Sequence, residues 1–146
     1  MKTLILGCGH PDRADDAVGL LVVRKLRALG LNAREYSGDM LSLFYSWAGY
    51  DEVVIVDAME SGAPVGSIVV FDPRMVELPR QQFQASTHEF GLAEVVELAR
   101  SLAQLPPKLT IYGIEAVNCG PGGPVSPEVL RAVDQVAKDI LSTIKR

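Results

Sequence analysis

The spacing of apolar residues changes along the chain and marks out its elements. Thr3 to Leu6 is a short continuous apolar run, the pattern of a strand buried on both faces. Beyond a glycine-containing turn, Val18, Leu21, Val22, Leu26 and Leu29 fall on one face of a helix, and Gly30 follows as its stop. Asn32 to Tyr36 predicts a second strand. After the turn Ser37-Gly38-Asp39, Met40 to Ala48 predicts a short helix with Leu41, Phe44, Tyr45 and Trp47 turned inward, broken at Gly49-Tyr50. Val53 to Val56 is the β-branched run expected of a central strand, closed by Asp57 with Ala58 and Met59 after it. Ser67 to Phe71 predicts a fourth strand. The link from Asp57 to Ser67 is shorter than a parallel crossover, which takes a dozen or more residues, so this strand is expected to run antiparallel to its predecessor.

Asp72 to Thr87 reads as a long polar loop containing Pro73 and Pro79, a length often given over to function. Phe90 to Leu102 predicts a helix with Leu92, Val95, Val96, Leu98, Ala99 and Leu102 on its apolar side. Leu109 to Ile114 is the last strand, and Asn118 to Pro124 a glycine-proline loop. Ser126-Pro127-Glu128 opens the final helix with an N-cap, a proline at the first position and an acid in the first turn. Its inner face is Val129, Val133, Val136, Ile140 and Ile144. The order predicts an α/β fold of three layers: one mixed five-stranded sheet, mostly parallel, with helices on both faces. No repeat or linker divides the chain, so residues 1–146 are expected to form a single domain.

Composition narrows the partners. A net charge of -4 gives no basic surface for nucleic acid or an anionic membrane. No apolar run approaches the ~20 residues of a membrane span. The first residues lack a signal-peptide layout, and two cysteines are too few for a disulfide framework. A cytoplasmic monomer is the expectation. Cys8 lies in the glycine turn, where the choice is between a reactive thiol and a small packing residue, the second being commoner.

The turn from Gly7 to Gly19 joins the first strand to the first helix, at the edge of an open α/β sheet where ligands bind. Gly7 and Gly9 match two glycines of a dinucleotide loop, but Asp12 stands where the third belongs. Asp15 and Asp16 at the helix start would also oppose the positive field that attracts a phosphate there. A cation is the more natural guest. One of the two acids is accounted for as an N-cap; the second is not.

Three groups are expected on one sheet edge: Asp15 and Asp16 after the first strand, Asp57 at the end of the third, and His88 before the helix at Phe90. In a strand order of 2-1-3, Asp16 and Asp57 flank the switch point. Asp16, Asp57 and His88 form an O,O,N set suited to a divalent transition metal such as zinc or nickel. Each residue alone has an ordinary structural role: Asp57 as a strand-end acid, His88 as a packing or capping histidine, His10 as a turn residue held by Pro11. Their convergence is what favours the metal. Fewer than four protein ligands leaves a position open to water or to a group from a partner.

At these residues the chain resembles the hydrogenase maturation endopeptidases. Gly7-x-Gly9, Asp15-Asp16-Ala17-Val18-Gly19, Val54-Ile55-Val56-Asp57-Ala58, Thr87-His88-Glu89-Phe90-Gly91-Leu92 and Ile111-Tyr112-Gly113-Ile114-Glu115 carry the likeness, in series along nearly the whole chain. The resemblance implies an endopeptidase that removes the C-terminal peptide of a [NiFe] hydrogenase large-subunit precursor once nickel is inserted. It implies Asp16, Asp57 and His88 as metal ligands, with nickel presented by the substrate and zinc or nickel bound by the isolated protein. Asp16 and Asp57 are then the expected catalytic carboxylates; the residues themselves leave Asp15, Asp16 and Asp57 all open as the base. The chain departs from the family where Asn usually follows the second glycine: here it is His10, a further candidate ligand or a support for the ligands, as is Asp15. It departs again after the second strand, where an Asp-Gly-Gly turn linked to substrate recognition is replaced by Ser37-Gly38-Asp39-Met40, leaving Gly38 and Asp39 as the corresponding residues. Two other functions fit parts of the pattern: a non-catalytic metal-dependent docking protein, and a nucleotide-binding α/β module.

Overall fold

The computed structural model describes residues 2–9, 17–36, 40–79, 83, 91–116 and 125–144, with Met40 and Leu41 described by their backbone only. In chain order the elements are β1 (Thr3–Cys8), α1 (Val18–Ala28), β2 (Ala33–Tyr36), α2 (Met40–Ser46), β3 (Glu52–Met59), β4 (Ile68–Phe71), α3 (Leu92–Ser101), β5 (Lys108–Glu115) and α4 (Pro127–Ile144). They build one five-stranded sheet in the order β2-β1-β3-β5-β4. β1, β2, β3 and β5 are parallel, and β4 runs antiparallel to β5. The mixed sheet and the single reversed strand are as the short link after Asp57 predicts.

Alternation along the strands divides the core in two. Ile5, Val54, Val56 and Ile114 face α1 and α4, meeting Val22, Leu26, Val133 and Ile140. Leu4, Leu6, Val53, Ile55 and Ile111 face α2 and α3, meeting Leu43, Trp47, Val95 and Val96. The 3.6-residue spacing of α4 places Val129, Val133, Val136 and Ile140 in one buried stripe. α1 stops where Gly30 takes φ +89, with the Gly30 N–H donating to the Arg27 carbonyl at 3.0 Å. No helix among the described residues is long and apolar enough to cross a membrane.

Several expectations are corrected. β3 does not end at Asp57 but continues to Met59, because β5 runs on to Glu115 and supplies pairing partners. Tyr45 is 79% exposed, while Leu43, two residues earlier on α2, is fully buried beside Trp47. Leu102 lies beyond the end of α3 and is 55% exposed. The segment after β4 is also less polar than it reads, since Leu78 and Phe83 are both buried within it. The expected turn at 37–39, the loop at 118–124 and the Leu41 side chain lie outside what is described.

Candidate metal and hydrolytic site

The carboxyl ends of the parallel strands separate at one point. The β1–β3 ladder closes at the pair Gly7–Val56, while β1 still pairs with β2 at Cys8–Tyr36. The β3–β5 ladder continues three residues further, through Asp57–Gly113 to Met59–Glu115. Asp57 is therefore the first residue of β3 beyond the reach of β1. β1 connects leftward to β2 and β3 rightward to β4, which makes this gap the switch point of the sheet.

Glycine lets α1 approach the gap. A Cβ on Gly19 would stand 2.3 Å from the Cys8 carbonyl oxygen and 2.5 Å from that of Val56. A Cβ on Gly7 would stand 2.0 Å from the Gly19 oxygen. The backbone of the first turn of α1 thus rests directly on the ends of β1 and β3. Gly9, at φ 149, leaves β1 in a conformation that favours glycine, and its N–H donates to the Tyr36 carbonyl at 3.3 Å. Segment 10–16 leaves from Gly9 and returns at Ala17, so both of its ends lie at this corner. Ala17, rather than an aspartate, stands at the N-cap of α1 and makes no side-chain cap bond. The glycines that suggest a nucleotide loop are used here for close packing of helix on strand.

Asp57 is 3% exposed, and its Oδ1 accepts the Ala58 N–H at 2.8 Å. Alternation puts its side chain on the α2–α3 side of the sheet, the side on which α3 begins after His88. α3 opens at Gly91, whose N–H donates to Glu94 Oε1 at 2.9 Å. Of the expected site residues, the structure describes Asp57. His10, Asp15, Asp16, Gly38, Asp39 and His88 lie outside the described residues, and among the described residues no three His, Cys, Asp or Glu side chains converge on one point. Cys8 is fully buried, as a packing residue would be.

One buried acid enters the sequence reading only within the motif that ends the last strand, with no role of its own. Glu115 is 2% exposed at the end of β5, on the same sheet edge as Asp57. Its carboxylate accepts the Ser61 N–H, at 2.9 Å on Oε2, and the Ser61 hydroxyl at 2.6 Å on Oε1. It clamps the chain just after β3 and so holds the rim behind Asp57. The available signal was an acid ending an otherwise apolar strand, where burial demands partners.

The sequence and the fold are matched by known proteins. A family model described as hydrogenase maturation protease matches residues 38–143. The Hydrogenase 2 maturation protease of Escherichia coli (strain K12) is 26% identical, over 99% of this chain and 92% of its own length. The structure of the [NiFe] hydrogenase maturation protease HybD from Thermococcus kodakarensis superposes with a TM-score of 0.75 at 26% identity, covering 100% of both chains. An endopeptidase structure from Escherichia coli superposes with a TM-score of 0.80 at 24% identity, covering 99% of this chain and 93% of that one, a likeness of fold.

Proposed function

The chain belongs to the hydrogenase maturation protease family, and on that premise we propose that it removes the C-terminal peptide of a nickel-loaded [NiFe] hydrogenase large-subunit precursor. It is a peptide hydrolase, as the proteases it resembles in sequence and structure are. The observation that carries the reading is Asp57: a buried carboxylate at the switch point of the sheet, beside the packed start of α1. The glycine packing leaves the nucleotide reading without support, and the family favours hydrolysis over docking alone.

Asp16, Asp57 and His88 are the proposed holders of the cation, which the precursor brings as part of the substrate. The donor chemistry fits. A buried carboxylate is acceptor-only, and two carboxylates with an imidazole suit nickel or zinc. A cation held there would supply polarisation of the scissile carbonyl or of the attacking water. One carboxylate of the pair, Asp57 or Asp16, takes the proton from the water as its oxygen attacks the carbonyl carbon. The same group returns it to the leaving amine nitrogen as the C–N bond breaks. The Ala58 N–H holds one oxygen of Asp57 in place for this. His10 and Asp15 are proposed to support the ligands, and Gly38 and Asp39 to meet the precursor. The protein is proposed to act as a monomer in the cytoplasm.

The test is precursor plus protein, with and without nickel, read by the mass of the large subunit. Cleavage is expected with the nickel-loaded form alone. Asp57→Asn and Asp16→Asn should each lower the rate at least about 10²-fold, the scale of one proton-transfer group. Equal cleavage of both forms rejects nickel gating. No cleavage of any precursor puts the docking reading ahead.

A further inference from the structure

Glu115 ends β5, and both its side chain and its backbone grip the link from β3 to β4. Its carboxylate accepts the Ser61 N–H on both oxygens, at 3.1 and 2.9 Å, and the Ser61 hydroxyl at 2.6 Å on Oε1. Its N–H donates to the Ser67 carbonyl at 2.8 Å, and its carbonyl accepts the Gly66 N–H at 2.9 Å. One residue thus holds both ends of the link. Nor can the link shift toward α4, since a Cβ on Gly66 would stand 2.7 Å from the Glu128 carbonyl oxygen. Bonds to an ionised acceptor are the stronger kind, and here they offset the cost of burying it.

Asp57 stands on the part of β3 that this grip secures. The β1 ladder stops at Val56, so among the described residues β5 alone pairs with the Asp57–Met59 end of β3. A strand end paired on one side opens more readily than one paired on both. Beyond the last ladder pair the Ala116 N–H donates to the Met59 carbonyl at 3.0 Å, and Ser61 is fastened two residues further on. Glu115 follows Gly113, the ladder partner of Asp57, by two residues and so shares the face of Asp57. At 2% exposure it has no surface to offer a substrate.

We propose that Glu115 is a positioning residue of the hydrolytic site: by clamping Ser61 it fixes the one-sided end of β3 and with it the Asp57 carboxylate. This rests on the reading of Asp57 as a working carboxylate of that site. Misplacing such a group costs rate rather than binding, so Glu115→Ala should lower kcat about 10- to 100-fold with KM for the nickel-loaded precursor within about threefold. The Ala58 N–H, which donates to Asp57 Oδ1, reports the same displacement without substrate. In Glu115→Ala its hydrogen exchange, read by NMR, should quicken about tenfold more than that of Val133 in the middle of α4. Glu115→Gln can turn its oxygen to the Ser61 N–H and its amide to the Ser61 hydroxyl, and should recover most of both losses.

Glu52→Ala is the comparison. Glu52 is a buried acid paired with Lys108 at 3.3 Å, at the opposite end of the same two strands. Its loss should cost stability, leave kcat near the parent's and quicken Ala58 and Val133 alike. Ser61→Ala removes only the hydroxyl bond and should lower kcat about three- to tenfold; it carries the test where Glu115→Ala does not fold, and a parental kcat then overturns the proposal. Asp57→Asn separates the two claims. If it cleaves like the parent, the functional reading falls, and the Ala58 exchange alone decides the clamp. If it is inactive while Glu115→Ala matches Glu52→Ala in kcat and in Ala58 exchange, or Glu115→Gln restores neither, the positioning role falls.

Discussion

Gly19 and Gly30 are both helical-end glycines of α1, yet they are needed for different reasons. A Cβ at Gly19 meets two carbonyl oxygens of other strands, at 2.3 and 2.5 Å, and backbone cannot yield as a side-chain tip does. A Cβ at Gly30 meets nothing within 4 Å, and the cost there is only the positive φ of +89. Gly30→Ala should thus cost about 1 kcal/mol. Gly19→Ala should cost about 3 kcal/mol or more, the upper range of overpacking, and should reduce cleavage because it displaces the corner holding Asp57. Urea midpoints of the two variants check the ranking; a Gly19→Ala no worse than Gly30→Ala would remove the close-packing account. Gly19 was visible in the sequence as part of a turn motif, but its function as a contact was not. The atoms it touches belong to Cys8 and Val56, and nothing in local spacing brings them near.

Elements were read well at their centres and less well at their ends. β3 was recognised from Val53 to Val56 by its β-branched run, but its last residues are strand because β5 offers a ladder as far as Glu115. A strand end is decided by the neighbour. α4 was legible from cap to last turn, since its stripe is continuous and its start carries Ser126 and Pro127. What was not legible is its tie to β5, where the Tyr112 hydroxyl donates to Asp139 Oδ2 at 2.5 Å. Burial, and then the bond to Asp139, hold the Tyr112 phenol above its ordinary range. The raised value means that folding favours the neutral phenol. Its contribution is complete below the unfolded value of about 10 and is lost as pH climbs above it. Urea midpoints at pH 8 and pH 11 should fall further for the parent than for Tyr112→Phe; parallel slopes would show that Tyr112 ionisation is not coupled to folding.

The whole molecule sets where Asp57 stands. The order β2-β1-β3-β5-β4 leaves one gap between carboxyl ends, and Asp57 sits in it. The proposed ligands Asp16 and His88 belong to two further segments of the chain, 10–16 and 84–90. A site shared among three such segments should bind a divalent ion cooperatively with its own fold. Zinc titration should give one site whose affinity drops as pH falls below about 6.5, where an ordinary imidazole gains its proton. Asp57→Ala should lower that affinity at every pH, and unchanged binding would remove Asp57 from the ligand set.

Hydrophobic spacing by itself determined the element types, the α/β class and the single reversed strand, because period and link length are written locally along the chain. It also singled out Asp57, an acid interrupting an apolar run. Tertiary structure alone decided that β4 lies beyond β5 at the sheet edge, that Tyr45 faces outward while Leu43 faces in, and that Glu115 grips Ser61 across 54 residues of sequence. It alone buried Phe83 against Gly113. In each of these cases the partner is distant in the chain, and only packing the layers together brings the two within van der Waals or hydrogen-bond range.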